Sequence, residues 1–186
     1  GIEEYVKVEY GKKAEMIAYG GDHVLRQVSD EKEAEVMEEY GVVAGEYAMS
    51  ICRIEPENNC HLILEAFEKS GKRLVFVGNW ERSAYGKELK ERYGECENIR
   101  LVNSVYDLDV LYVLRKNARW YVHGHSAGGT NPSLVEAMFF GIPILAYDVV
   151  YNRETTENRA LYFKTSDDIC RLLECDVEAS ELKDIA

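Results

Sequence analysis

From residue 46 onward, short apolar runs alternate with segments whose apolar positions recur at helical spacing. "EYAMSIC" (46–52), "RLVFVG" (73–78), "NIRLVN" (98–103), "RWYVHG" (119–124) and "IPILAYD" (142–148) are apolar throughout. Such runs predict strands of a sheet covered on both faces. Between them, "NCHLILEAFEKSG" (59–71) carries a helical stripe of Leu62, Ile63, Ala66 and Phe67 closed by Gly71, and "AYGKELKERYG" (84–94) reads as a polar helix. "DLDVLYVLRKNA" (107–118) is a helix with Asp107 as its N-cap, and "PSLVEAMFFG" (132–141) is one stopped by Gly141. Repeated βα units with short connections imply an α/β fold, a doubly wound parallel sheet of Rossmann-like form.

The ends differ from this rhythm. Residues 1–45 predict an inter-domain lead-in of helix, strand and helix: "EEYVKVEYG", then "AEMIAYGGD" with a double-glycine turn, then "DEKEAEVMEEYG". With no initiator methionine, the opening suggests a fragment whose preceding domain lies outside the chain. Residues 46–165 form the sheet domain, and 166–186 an acidic helical segment with a capping signal at Ser166.

Charge narrows the partners. Lys+Arg number 22 against Asp+Glu 34, a formal net charge of −12, which repels polyphosphate and argues against nucleic acid. An anionic ligand would have to be held by a local site against that field. No apolar run approaches the roughly 20 residues that span a bilayer, and "GIEEYVKVEY" is too charged for a signal peptide. The five cysteines show no C-x-x-C pair, which fits thiols in a reducing cytoplasm better than zinc or disulfides.

Candidate chemistry gathers where strands end and helices begin, the place where open parallel sheets bind ligands. Arg53 ends the first strand and suits a phosphate clamp, or a surface pair with Glu55 or Glu57. In "YVHGHSAGGTNPSLVEAM" (121–138), Gly128, Gly129 and Thr130 form a turn, Asn131 suits the N-cap, Pro132 the first helical position, and Ser133 adds a donor. That is an anion site built on backbone N–H groups. Glu136, one turn on, suits the vicinal hydroxyls of a ribose, or merely compensates the helix dipole. His123 and His125 share a face, but no third ligand stands at diagnostic spacing. A histidine hydrogen-bonding within the crevice is favoured over a metal pair.

"SICRIEPENNCHLILEAF", "RLVFVGN", "NIRLVNSVYDLDVLYVLRKNA" and "HGHSAGGTNPSLVEAMFFGIPILAYDVVYNRE" together resemble the C-terminal, donor-binding domain of GT-B glycosyltransferases of the retaining family 4. Within that family they are most similar to bacterial rhamnosyltransferases of polysaccharide assembly. The resemblance implies that 46–165 binds a nucleotide-sugar, with Arg53 on the diphosphate and Glu136 on the ribose as the catalytic pair. Val105 and Tyr106 would hold the base through their backbone. It also implies a lysine where Asn58 stands and a glutamate where Gly128 stands, which leaves His125 and Asn131 as candidates for the sugar. No metal or other cofactor is implied; the resemblance implies dTDP-rhamnose as donor, while readout of the base through the backbone leaves UDP- and GDP-sugars open. The acceptor, a glycan or lipid-linked glycan, would be met by an N-terminal domain outside the chain, in the cytoplasm at the inner face of the membrane. The fragment alone would be inactive. Two other readings stay open: a GT-B-like sugar-nucleotide epimerase and a non-enzymatic nucleotide-binding module.

Overall fold

The structure is a computed structural model that describes residues 2–174 apart from Met16 and Ala18. Six parallel strands form one sheet in the order β3-β2-β1-β4-β5-β6: β1 (Tyr47–Ile51), β2 (Arg73–Val77), β3 (Ile99–Val102), β4 (Trp120–His123), β5 (Ile144–Tyr147) and β6 (Leu161–Phe163). The doubly wound α/β fold expected from the apolar rhythm is therefore present. The order reverses between β1 and β4, so the crevice of a doubly wound sheet opens there.

Alternation along each strand sorts side chains to two faces. Ala48, Leu74, Phe76, Trp120, Val122, Leu145 and Phe163 pack with α3 (Cys60–Ser70), α4 (Ala84–Tyr93) and α8 (Ser166–Glu174). Tyr47, Met49, Val75, Val77, Tyr121, Ile144 and Ala146 pack with α2 (Asp30–Tyr40), α5 (Leu108–Lys116) and α6 (Pro132–Met138). Phe67 and Ile63, from the stripe read in the sequence, are fully buried under the first face.

The register shows where the sheet parts. β1 pairs with β2 along its whole length, from Tyr47↔Arg73 to Ile51↔Val77. Its pairing with β4 covers Ala48↔Trp120 and Met49↔Tyr121 and then stops. Beyond that point side chains bridge the gap: Ser50 Oγ donates to the Val122 carbonyl at 2.9 Å, and Tyr121 Oη to the Ile51 carbonyl at 3.3 Å.

Three expectations change. α1 (Ile2–Tyr10) forms, but the described residues between it and α2 contain no strand; a 3-10 turn at Asp22–Val24 stands there instead. Both sheet edges are taken by β3 and β6, and the glycine-bearing chain turns back toward α6. α7 (Val150–Thr155) and β6 follow β5, where the apolar rhythm gave no signal. The cap of α8 sits one residue before Ser166: Thr165 N–H donates to Asp168 Oδ2, and Asp168 N–H returns to Thr165 Oγ1, a reciprocal capping box. The segment 175–186, expected to continue that helix, lies outside the described residues.

Among the described residues, no helix is long and apolar enough to cross a membrane. The four described cysteines are free thiols.

Candidate functional site

Two loops meet at the switch point: residues 52–59 after β1 and 124–131 after β4. They are laced together. Ser126 N–H and Oγ both donate to the Glu57 carbonyl at 2.8 Å, and Asn59 Nδ2 donates to the Gly124 carbonyl at 2.9 Å. A Cβ on Gly124 would stand 2.1 Å from the Asn58 carbonyl oxygen, so this close approach requires glycine. The sequence signal for that contact was the glycine of "HGH", which drew no expectation of its own.

Arg53 is exposed at the mouth of this crevice, and its pairing with Glu55 or Glu57 does not form among the described residues. Its charge bears on His125, whose pKa is lowered chiefly by burial, then by Arg53, with Glu57 acting the other way. Asn58, where the resemblance implies a lysine, is buried and turned inward. Its Nδ2 donates to the Arg53 carbonyl at 2.7 Å, and its Oδ1 lies 2.7 Å from His125 Nδ1.

The turn into α6 is built as its residue types suggest. Asn131 caps the helix, its Oδ1 accepting from Ser133 N–H at 3.0 Å and from Ser133 Oγ at 2.7 Å, and Pro132 opens the first turn. Gly128, at φ +107°, holds a backbone conformation that side chains of L-residues rarely adopt. Gly129 and Thr130 complete the turn, with Thr130 exposed. α6 runs for seven residues, so any anion at its start would be held mainly by local N–H groups rather than by a long helix dipole.

Glu136 meets partners that sequence spacing does not reveal. Arg115 of α5, 3 % exposed, donates to Glu136 Oε2 at 2.5 Å, and His23 Nε2 from the lead-in segment lies 3.5 Å from Oε1. Arg115 thus fixes the carboxylate through Oε2 on a side chain 21 % exposed, while the exposed His23 ring stands beside Oε1. Glu136 is more than a first-turn carboxylate compensating the helix dipole.

His123 and His125 have ring centroids 6.0 Å apart, and among the described residues no three His, Cys, Asp or Glu side chains converge as a metal site. His123 is buried beside Tyr121, and burial lowers its pKa to about 3, with the neighbouring His125 adding to the shift. Its Nε2, Tyr151 Oη and Asn152 Oδ1 are buried without hydrogen bonds among the described residues. Asn152 Nδ2 ties this side of the crevice, donating to the carbonyls of His125 and Tyr147 at 2.9 Å each. Val105 is half-buried in the loop between β3 and α5, and Tyr106 beside it is 86 % exposed, a free aromatic face.

The sequence profile of the family described as Glycosyl transferases group 1 matches residues 28–173. The chain belongs to that family.

Solved structures place this group 1 domain as one half of a GT-B glycosyltransferase fold. Alr3699/HepE of Anabaena in complex with UDP-glucose aligns with TM-score 0.69 at 16 % identity, over 85 % of this chain and 46 % of that one. Trehalose-6-phosphate from E. coli bound with UDP-2-fluoro glucose aligns with TM-score 0.66 at 14 % identity, over 86 % and 42 %. AviGT4, a glycosyltransferase involved in avilamycin A biosynthesis, gives TM-score 0.59 at 18 % identity, over 75 % and 44 %. The chain therefore spans less than half the length of these solved relatives. No curated protein matched the sequence. Arg115, Gly124, Asn152 and His23 are the residues of this group 1 domain's crevice that the sequence reading missed.

Proposed function

We propose that this domain binds a nucleoside-diphosphate sugar in the β1/β4 crevice and serves as the donor half of a glycosyltransferase that retains anomeric configuration. The observation that supports it is the arrangement of Arg53, His125 and the Arg115-held Glu136 at the switch point of a group 1 chain. In this reading Arg53 and the N–H groups of residues 128–131 stabilise the charge that develops on the departing nucleoside diphosphate. Glu136 Oε1 accepts from the ribose hydroxyls, with Arg115 as the residue that positions it. Val105 and Tyr106 receive the base. The scheme needs neither a metal nor another cofactor. The sugar we assign is rhamnose, carried by dTDP, and the acceptor is a glycan or lipid-linked glycan met by the other half of the enzyme at the inner face of the membrane.

The test is calorimetry of the chain with uridine, thymidine and guanosine diphosphates and their sugars, including UDP-glucose because the Anabaena structure carries it. Binding is expected for one base class, and no binding to any at millimolar concentration overturns the reading. Arg53→Ala should weaken the diphosphate by about tenfold, the worth of one charge-assisted hydrogen bond.

A second reading, a nucleotide-binding module without transfer, is favoured by Asn58 standing where the resemblance implies a lysine, so that this position supplies no second cation beside Arg53. Transfer of sugar by a chain that includes the other half would set it aside.

A further inference from the structure

The protons of the Asn58–His125 pair follow from its neighbours. One end of the Asn58 amide lies 2.7 Å from the Arg53 carbonyl oxygen, which only accepts, so that end is the NH2 group. The other end is therefore Oδ1, and it lies 2.7 Å from His125 Nδ1. An amide oxygen also only accepts, so Nδ1 carries the hydrogen. In a neutral ring Nε2 is then a bare lone pair.

That lone pair has a definite direction. His125 is 9 % exposed, and its Nε2 lies 3.5 Å from where a Cβ on Gly128 would stand. It faces the inside of the glycine turn, and no described residue donates to it. Unlike the sealed Nε2 of His123, this atom keeps solvent contact, so water can satisfy it in the free chain and a ligand hydroxyl or N–H lying over Gly128 can take that water's place.

We propose that His125 Nε2 accepts a hydrogen bond from a hydroxyl of the donor's sugar, and that Asn58 is the positioning residue that fixes the accepting tautomer. The inference rests on the donor-binding reading above and adds which atom reads the sugar. A neutral acceptor suits a crevice shared with a diphosphate, because it takes a hydroxyl proton without adding negative charge. Burial and the nearby Arg53 charge favour the neutral ring. Asn58 therefore acts through His125 and makes no contact with the phosphates.

Nitrogen-edited NMR of the histidine-labelled chain reads the tautomer directly, with the proton of His125 expected on Nδ1. Calorimetry then compares a nucleoside diphosphate with its sugar conjugate, for the uridine and thymidine pairs, in the wild type, His125→Phe, His125→Gln and Asn58→Leu. The sugar conjugate should bind the wild type more tightly than the diphosphate does, and this ratio should fall about tenfold in His125→Phe. His125→Gln, which keeps an accepting oxygen, should lose less. Asn58→Leu should lower the ratio and bring the Nε2-protonated tautomer into the spectrum. If Asn58→Leu does not fold, the wild-type spectrum and the His125 variants decide. A proton on Nε2 in the wild type, no gain from the sugar, or an unchanged ratio in His125→Phe overturns the inference and leaves donor binding standing. Failure of the wild type to bind any nucleoside diphosphate overturns both.

Discussion

The two halves of the sheet are built by different means. β1, β2 and β3 with α3 and α4 close over an apolar interior in which Phe67, Leu64, Phe76 and Trp80 are fully buried. β4, β5 and β6 share that apolar packing through Val122, Leu145 and Phe163, and add a larger set of enclosed polar groups: His123, His125, Asn152 and Thr156 are all buried. Asn152 binds two carbonyls, while Thr156 Oγ1 donates to the Asn152 carbonyl at 2.8 Å and lies 2.6 Å from Tyr162 Oη. Hydrophobic burial tolerates rough complementarity, whereas buried hydrogen bonds require each partner to be present. Apolar burial thus stabilises both halves, while the added hydrogen bonds of the second fix the positions of the groups that face the crevice.

The sharpest break of this contrast is expected in the apolar half. Phe67→Ala removes a fully buried ring and should cost about 3–5 kcal/mol in urea unfolding, with little change in crevice geometry if the chain stays folded. At the seam between the halves, Glu136→Ala leaves Arg115 buried without its partner and should cost about 3 kcal/mol. The Arg115→Leu, Glu136→Leu double variant should recover part of that loss, and a double loss equal to the sum of the two single losses would show that the pair is not coupled. In the polar half, Asn152→Ala strands two carbonyls and should cost about 2 kcal/mol. Hydrogen exchange should rise first in the loop after β4 rather than across β1 and β2.

The last effect is one of pH, spread over several pH units. His123 is neutral when folded, with its pKa lowered to about 3, but is free to protonate near pH 6.5 when unfolded. The unfolded state then binds more protons between these values, so stability falls as pH drops below about 6.5 and continues to fall toward 3. The slope from this one group is at most about 1.4 kcal/mol per pH unit. His123→Phe should flatten the acid limb of a plot of urea midpoint against pH, and an unchanged limb would assign it to other groups.

The same contrast explains what could be read from the chain. The strands through β5 and the helices between them were legible because their burial is apolar and periodic. β6 and α7 were not, because Asn152, Thr156 and Tyr162 are held by hydrogen bonds that leave no hydrophobic period. In the crevice, Asn131 and Pro132 announce themselves locally as cap and first turn. The Arg115–Glu136 and Asn58–His125 contacts do not, since they join residues 21 and 67 positions apart through the sheet topology.

Gly128 has a consequence for how this site can change over generations. Any other residue there would carry a strain of order 1–3 kcal/mol from its backbone, and its first side-chain atom would land against the His125 ring. The obstacle to a side chain at that point is therefore the backbone and not the histidine, because 3.5 Å is an ordinary van der Waals contact while φ +107° is a conformation L-residues rarely adopt. A carboxylate can be gained there at the cost of that strain, or at none if the turn relaxes to a negative φ.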